Sequence, residues 1–313
     1  MSVSRAANKL VTEFRSRPTL RAGSLITTVF GDAIAPRGGV VWLGSLIRAM
    51  EPFGVSERLV RTSVYRLAQD GWLTSEQVGR RSYYRLSEDG RERFAQATHR
   101  IYGDPVRDWD GEWCLVLLSG LDAAARDAVR KEVGWLGFAA MSPNVLAHPA
   151  PDPADLEVTL RRLGVDNDVV VMRGRAERSD AALRRLAQSG WNLADIDTRY
   201  ARFVKRFRPV LRALEKAPVV APETAFLLRT LLIQYYRKIL LRDPHLPTAL
   251  LPADWHGHAA YQLCRNVYRA VYAPAEAHLT AAMENADGPL PPAGKGAQAR
   301  FGGLDDVVMR VAE

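Results

Sequence analysis

The residues best suited to chemistry gather in the run SERLVRTSVYRLAQDGWL (56–73) and in the hairpin-like stretch that follows it. At 3.6 residues per turn, Val60, Val64 and Leu67 share one face of a helix, and Arg58, Arg61, Thr62, Tyr65 and Arg66 cover the remainder. Guanidinium groups bond guanine edges in pairs, and a threonine reaches phosphate or a thymine methyl. Arg80 and Arg81 fall at the turn between the strand-like runs WLTSEQVG and RSYYRLS, where positive charge meets a phosphate backbone. Ser56 is placed to cap the helix, and Ser56 and Ser63 could add backbone contacts. A helix of this kind followed by a basic hairpin is the layout of a winged helix-turn-helix, whose recognition helix enters the major groove while the wing lies on the flanking backbone. An Arg-rich helix in a protein–protein adaptor fits the same residues and predicts little salt-sensitive DNA affinity.

A second group lies in YYRKILLRDPHLPTALLPADWHG (235–257). Arg237, Lys238 and Arg242 end an apolar helix, and the loop beyond it carries Leu246, Leu250, Trp255 and several prolines. Cations beside an apolar, aromatic loop could hold an acyl-CoA, with phosphates on Arg and Lys and the acyl group in an apolar pocket. The plainer reading makes the aromatics core and the cations ion-pair or helix-end partners. His245, His256, His258 and His278 are too sparsely placed for a metal site, and the spacing His256-x-His258 puts two of them on different faces of a helix. Nucleophile elbow, P-loop, dinucleotide fingerprint and zinc hydrolase motif are all lacking, so nothing in the sequence supports catalysis and no cofactor is implied.

The surrounding elements follow from punctuation and periodicity. Ahead of the basic helix come a helix over LRAGSLITTVFGDAIA, ended by Pro36 and Gly38-Gly39, a short apolar stretch at 40–42, and the helix LGSLIRAME. From about 108 the order changes to strand, helix, strand, helix, strand: EWCLVLLSG, DAAARDAVRKEVGWLG, FAAMSPNVLAHP, DPADLEVTLRRLG and DVVVMRG. That order suggests a ferredoxin-like unit in which a fourth strand is not visible. From 178 onward the chain reads as long helices, with Pro209 inside the first, and the stretch from Asn285 is rich in Pro and Gly. The fold class is therefore α+β. A flexible arm (1–18) leads into a winged-helix DNA-binding domain (19–104), a ferredoxin-like domain (105–177), a helical C-terminal domain (178–284) and a disordered tail (285–313).

Charge supports an anionic partner for the first third. Residues 1–100 hold 16 Arg and Lys against 9 Asp and Glu, a surplus of +7 within a net charge of +8. No transmembrane run or secretory signal is read, and Cys114 and Cys264 sit far apart in apolar segments, as expected of reduced thiols in a cytoplasmic protein.

Several segments in this order resemble the phenylacetic acid degradation repressors, the PaaX family: RPTLRAGSLITTVFGD, VRTSVYRLAQDGWL, GRRSYYRLSEDGR, WDGEWCLVLLSG, YRKILLRDPHLPTALLPADWHG and AYQLCRNVY. The resemblance spans roughly residues 18–283. It implies a homodimeric repressor of aromatic catabolic operons, with a winged helix, a dimerising middle domain similar to the small CRISPR adaptation nuclease, and a helical effector domain. Phenylacetyl-CoA would release it from an imperfect palindrome. On this resemblance Arg61, Thr62, Tyr65 and Arg66 are recognition residues, Arg80 and Arg81 wing residues, and Arg237, Lys238, Trp255 and His256 effector residues. WDGEWCLVLLSG carries no Asp at the strand end where such a nuclease holds a metal. Two alternatives stand beside this reading. One is a related regulator of another pathway with a different effector; the other is a nuclease or thioesterase using the central or C-terminal domain.

Overall fold

The computed structural model describes residues 2–17, 22–104, 109–149, 151–177, 180–217 and 219–304. They divide into two compact units: Met1–Gly103 with Arg202–Arg237 and Ala259–Glu313, and Asp104–Ala201 with Lys238–His258.

In the first unit, helix α1 (Val3–Arg15) replaces the expected flexible arm. Its signal is an apolar stripe at helical spacing, not a continuous apolar run: Val3, Ala6, Ala7, Leu10, Val11 and Phe14 are buried. Ser2 caps it by accepting from the Arg5 amide at 3.3 Å. Phe14 meets Phe53 edge-on, and Phe53 meets Phe226 in turn. Helix α2 (Ala22–Val29) runs on into a π-helical turn at Phe30–Ile34, which directs Asp32 inward, and Gly38 and Gly39 then turn the chain at φ 84° and 72°. Strand β1 (Val40–Trp42), helix α3 (Leu43–Met50) and helix α4 (Glu57–Gln69) follow, then the hairpin β2 (Leu73–Val78) and β3 (Arg81–Leu86) and helix α5 (Glu88–Tyr102). The three strands form an antiparallel sheet in the order β1-β3-β2.

The second unit contains β4 (Glu112–Leu117), α6 (Ala123–Trp135), β5 (Ala139–Ser142), β6 (Val145–His148), α7 (Pro153–Leu163) and β7 (Val170–Arg175). Its sheet is antiparallel in the order β5-β6-β4-β7, the ferredoxin-like arrangement. The missing fourth strand lies inside FAAMSPNVLAHP. Pro143 and Asn144 turn that run back on itself, so one apparent interrupted strand is a hairpin. Cys114, Val116, Val129, Val133, Leu156 and Leu160 form its core with Phe138 and Leu146.

The C-terminal helices α8 (Asp180–Gly190), α9 (Leu193–Leu214), α10 (Pro222–Leu240) and α11 (Gly257–Ala282) span the stretch expected as a helical domain at 178–284, and their residues divide between the two compact units. Residues 202–237 and 259–304 belong with the N-terminal elements, and 238–258 with the ferredoxin-like sheet. Helix α10 gives the reason. Ala225, Phe226, Leu228, Leu231, Leu232, Ile233 and Tyr236 are buried together with the polar Arg229, Thr230 and Gln234, and a helix buried on every side needs neighbours on every side. In the second unit the Trp191 indole donates to the Gly137 carbonyl at 2.6 Å, and the His148 ring lies 2.7 Å from the Pro244 carbonyl. Pro209 sits within an unbroken helical span.

The expected disordered tail is ordered through Leu304; residues 305–313 lie outside the described residues. Strands β8 (Glu284–Asn285) and β9 (Gly288–Pro289) pair, helix α12 (Lys295–Gln298) follows, and Arg300, Phe301 and Leu304 are buried in the first unit. Pro and Gly here shape turns without dissolving structure.

Candidate nucleic-acid interface

Helix α4 is fixed by one apolar edge and a cap. Val60 and Val64 are fully buried, Leu67 is half-buried, α2 packs against this side, and the Ser56 hydroxyl accepts from the Leu59 amide at 3.4 Å. Ser63, expected to add a backbone contact, is buried on this apolar side, one residue before Val64. Arg58, Arg61, Thr62, Tyr65 and Arg66 face outward, with Tyr65 62% exposed for a large aromatic side chain.

The outward cations are not equivalent. Arg61 donates to Glu57 one turn earlier at 2.7 and 2.9 Å, an exposed pair that holds the guanidinium out along the helix. The Thr62 hydroxyl donates to the Arg58 carbonyl at 2.9 Å. Arg58, Arg66 and, on the hairpin turn beside Gly79, Arg80 form no ion pair among the described residues. Arg81 differs from its neighbour. Its guanidinium lies 4.2 Å from the Trp42 ring centre and donates to Glu284 at 3.2 Å, while Arg48 approaches the other Glu284 oxygen at 3.5 Å. The roles of Trp42 and Glu284 are not legible locally, since Glu284 stands 203 positions from the hairpin residue it touches.

The four expected effector residues divide between the units, with Arg237 in the first and Lys238, Trp255 and His256 in the second. Trp255 is buried edge-on against Tyr200, and the His256 ring lies 2.9 Å from Asp197, whose other oxygen accepts from the His256 amide. Arg237 donates from Nε to the Thr28 hydroxyl at 2.7 Å and from Nη2 to the Ser24 carbonyl and hydroxyl at 2.7 and 2.9 Å. Desolvation pulls its pKa down to about 10.

Beneath these surfaces the first unit buries a charge network that no local pattern in the sequence signals. Asp32 accepts from Arg229 Nε at 2.7 Å, from the hydroxyls of Tyr102 and Tyr268 at 2.7 and 3.0 Å, and from Arg300 at 3.1 Å. Burial alone would raise the Asp32 pKa, but Arg229 and Arg300 together hold it below the ordinary carboxylate range. Glu276 takes hydrogen bonds from Arg229 and Arg37. Among the described residues no three His, Cys, Asp or Glu side chains converge as metal ligands would, and no helix is long and apolar enough to cross a membrane.

Comparison with known proteins places this arrangement among relatives. Three family profiles match in order: PaaX-like protein at residues 21–90, the PaaX protein central Cas2-like domain at 106–185, and the PaaX-like protein C-terminal domain at 191–281. The transcriptional repressor PaaX of Escherichia coli (strain K12) is 40% identical over 285 residues, covering 90% of each chain. Among solved structures, the uncharacterized protein Rv0674 from Mycobacterium tuberculosis aligns with a TM-score of 0.48 at 24% identity, over 75% of this chain and 89% of that one.

Proposed function

This chain belongs to the PaaX family, and from that premise we propose that it is a non-enzymatic transcriptional repressor of phenylacetate-type catabolic genes in the cytoplasm, whose residues 22–86 act as a winged helix-turn-helix. The observation that carries the proposal is the outward face of α4 together with the hairpin turn. Arg58, Arg66 and Arg80 there are exposed and, among the described residues, pair with no carboxylate, so no such ion pair must break before they meet phosphate. Arg61, Thr62 and Tyr65 stand on the same exposed side, where base edges would be read, and Ser56 contributes by fixing the helix start. Arg81, stacked on Trp42, steadies the wing and contacts the backbone from its base.

A homodimer would present two such helices one turn of DNA apart. The ferredoxin-like sheet supports this role. Its outer strand β7 exposes Val170 and Met172, which are register partners of the half-buried Leu117 and Leu115, and this leaves an apolar edge uncovered. Phenylacetyl-CoA is the proposed releasing effector, with Arg237, Lys238, Trp255 and His256 as its candidate contacts.

The test is fluorescence anisotropy on the intergenic DNA beside the gene. Specific binding whose log affinity falls linearly with log salt is expected, with Arg66→Ala weakening it about tenfold and saturating phenylacetyl-CoA abolishing it. Binding that ignores salt would overturn the DNA-binding reading, and binding that ignores phenylacetyl-CoA would overturn that effector.

A further inference from the structure

Among the described residues, the first unit contains a guanidinium with no carboxylate partner. Three arginines there are deeply buried, and each has a carboxylate: Arg37 has Glu276, Arg229 has Asp32 and Glu276, and Arg300 has Asp32. Arg237 is largely shut off from water, yet its partners are all neutral: the Thr28 hydroxyl and the Ser24 carbonyl and hydroxyl. Gln234 completes the cradle, donating to the Ser24 hydroxyl at 3.1 Å and accepting from Thr28. These bonds use Nε and Nη2 and fix the plane of the fork. Nη1 bonds to none of the described residues and is not sealed from solvent.

We infer that Arg237 is a receptor for a single oxyanion, a phosphate or carboxylate of a small ligand, which docks on the open Nη1 edge while Thr28, Ser24 and Gln234 hold the guanidinium in place. The chemistry is that of a pre-oriented, partly dehydrated arginine, the residue that binds such oxyanions through directed charge-assisted bonds. An arriving anion supplies the compensation that a buried cation otherwise lacks. It also has a mechanical consequence. Ser24 and Thr28 belong to α2, which packs against α4, so a ligand that moves Arg237 acts one helix away from the proposed recognition surface. The inference rests on the effector reading only for the ligand's use, not for the site's chemistry.

The test measures thermal unfolding of the full chain at fixed ionic strength, without additive and with coenzyme A, phenylacetate or phenylacetyl-CoA. A ligand selective for the folded state raises the midpoint as its concentration exceeds Kd. Stabilisation by coenzyme A identifies a phosphate as the anion, and stabilisation by phenylacetate identifies a carboxylate. In Arg237→Met the affinity for that probe, measured by calorimetry, falls at least about tenfold, the loss expected of one charge-assisted bond. Should Arg237→Met not unfold cooperatively, Arg237→Lys decides, because it keeps the charge and loses the fork, and the same loss is expected. Equal affinity in the variant and wild type, or no probe bound by wild type, overturns the inference. Operator release is read separately. If no probe loses affinity in the Arg237 variants while phenylacetyl-CoA still releases them at unchanged concentration, the oxyanion site falls and the effector reading stands. If a probe binds through Arg237 and the operator stays bound, the site stands and the effector reading falls.

Discussion

Replacing Arg300 by Met tests whether the C-terminal segment is a structural plug. Arg300 is 4% exposed, donates from Nη1 to the Asp32 carbonyl at 2.9 Å and carboxylate at 3.1 Å and to the Tyr268 hydroxyl at 2.9 Å, and donates from Nη2 to the Gly31 carbonyl at 3.1 Å. Its guanidinium also lies 4.1 Å from the Tyr102 ring centre. Breaking a buried pair by removing one partner costs about 3–5 kcal/mol. Arg229 still holds Asp32 in the variant and Met fills much of the volume, so the lower end applies, about 3 kcal/mol. That corresponds to a fall of roughly 6–12 °C in the unfolding midpoint of a unit this size. The assay is hydrogen exchange by mass spectrometry alongside urea unfolding. Protection should drop in peptides of α2, α10 and α11 and stay unchanged across β4 and α6 of the other unit. A double-mutant cycle with Asp32→Asn should show the two changes costing at least about 1 kcal/mol less together than separately, because the double variant leaves one fewer unmatched charge. A loss below about 1 kcal/mol, or additive effects, would refute the plug.

Three further outcomes follow from the same structure. Because Asp32 titrates lower in the folded state than unfolded, its contribution is present above the unfolded pKa of about 3.9 and disappears as pH falls through the folded value; acid titration of wild type should therefore show a steeper stability loss below about pH 4 than Asp32→Asn does. Glu284→Gln removes the carboxylate that competes with phosphate for Arg81 and Arg48, and exposed pairs of this strength predict about two- to fivefold tighter DNA binding at low salt, vanishing at high salt, as read by anisotropy. Burial raises the thiol pKa of both Cys114 and Cys264, so neither should react with a thiol reagent until the protein unfolds; rapid labelling of the native chain would contradict their placement.

What could be read from the sequence was whatever depends on neighbours within a few positions. The cap at Ser56, the stop at Gly71, the apolar edge of α4 and the hairpin turn at Gly79 are all local, and each stands where periodicity and punctuation put it. Helix α1 is legible too, in the spacing of Val3, Ala6, Leu10 and Phe14, though not in any continuous apolar run. The tail is the opposite case. Its Pro and Gly content is what a disordered segment shows, whereas its order comes from Arg300 and Phe301 meeting residues far back in the chain.

The arginines show where sequence reasoning stops. Written in a row, Arg58, Arg81, Arg237 and Arg300 carry the same charge and the same five donors. Only the fold sorts them. Among the described residues Arg58 is bare, Arg81 is clamped between Trp42 and Glu284, Arg300 is matched by Asp32, and Arg237 is enclosed without a carboxylate. The partners that decide the last three lie 39 to more than 200 positions away, beyond the reach of any local pattern. A guanidinium's role is therefore set by what compensates its charge. On the proposed reading the bare ones meet phosphate on DNA, the matched one holds the unit together, and the enclosed one takes its counter-charge from a ligand.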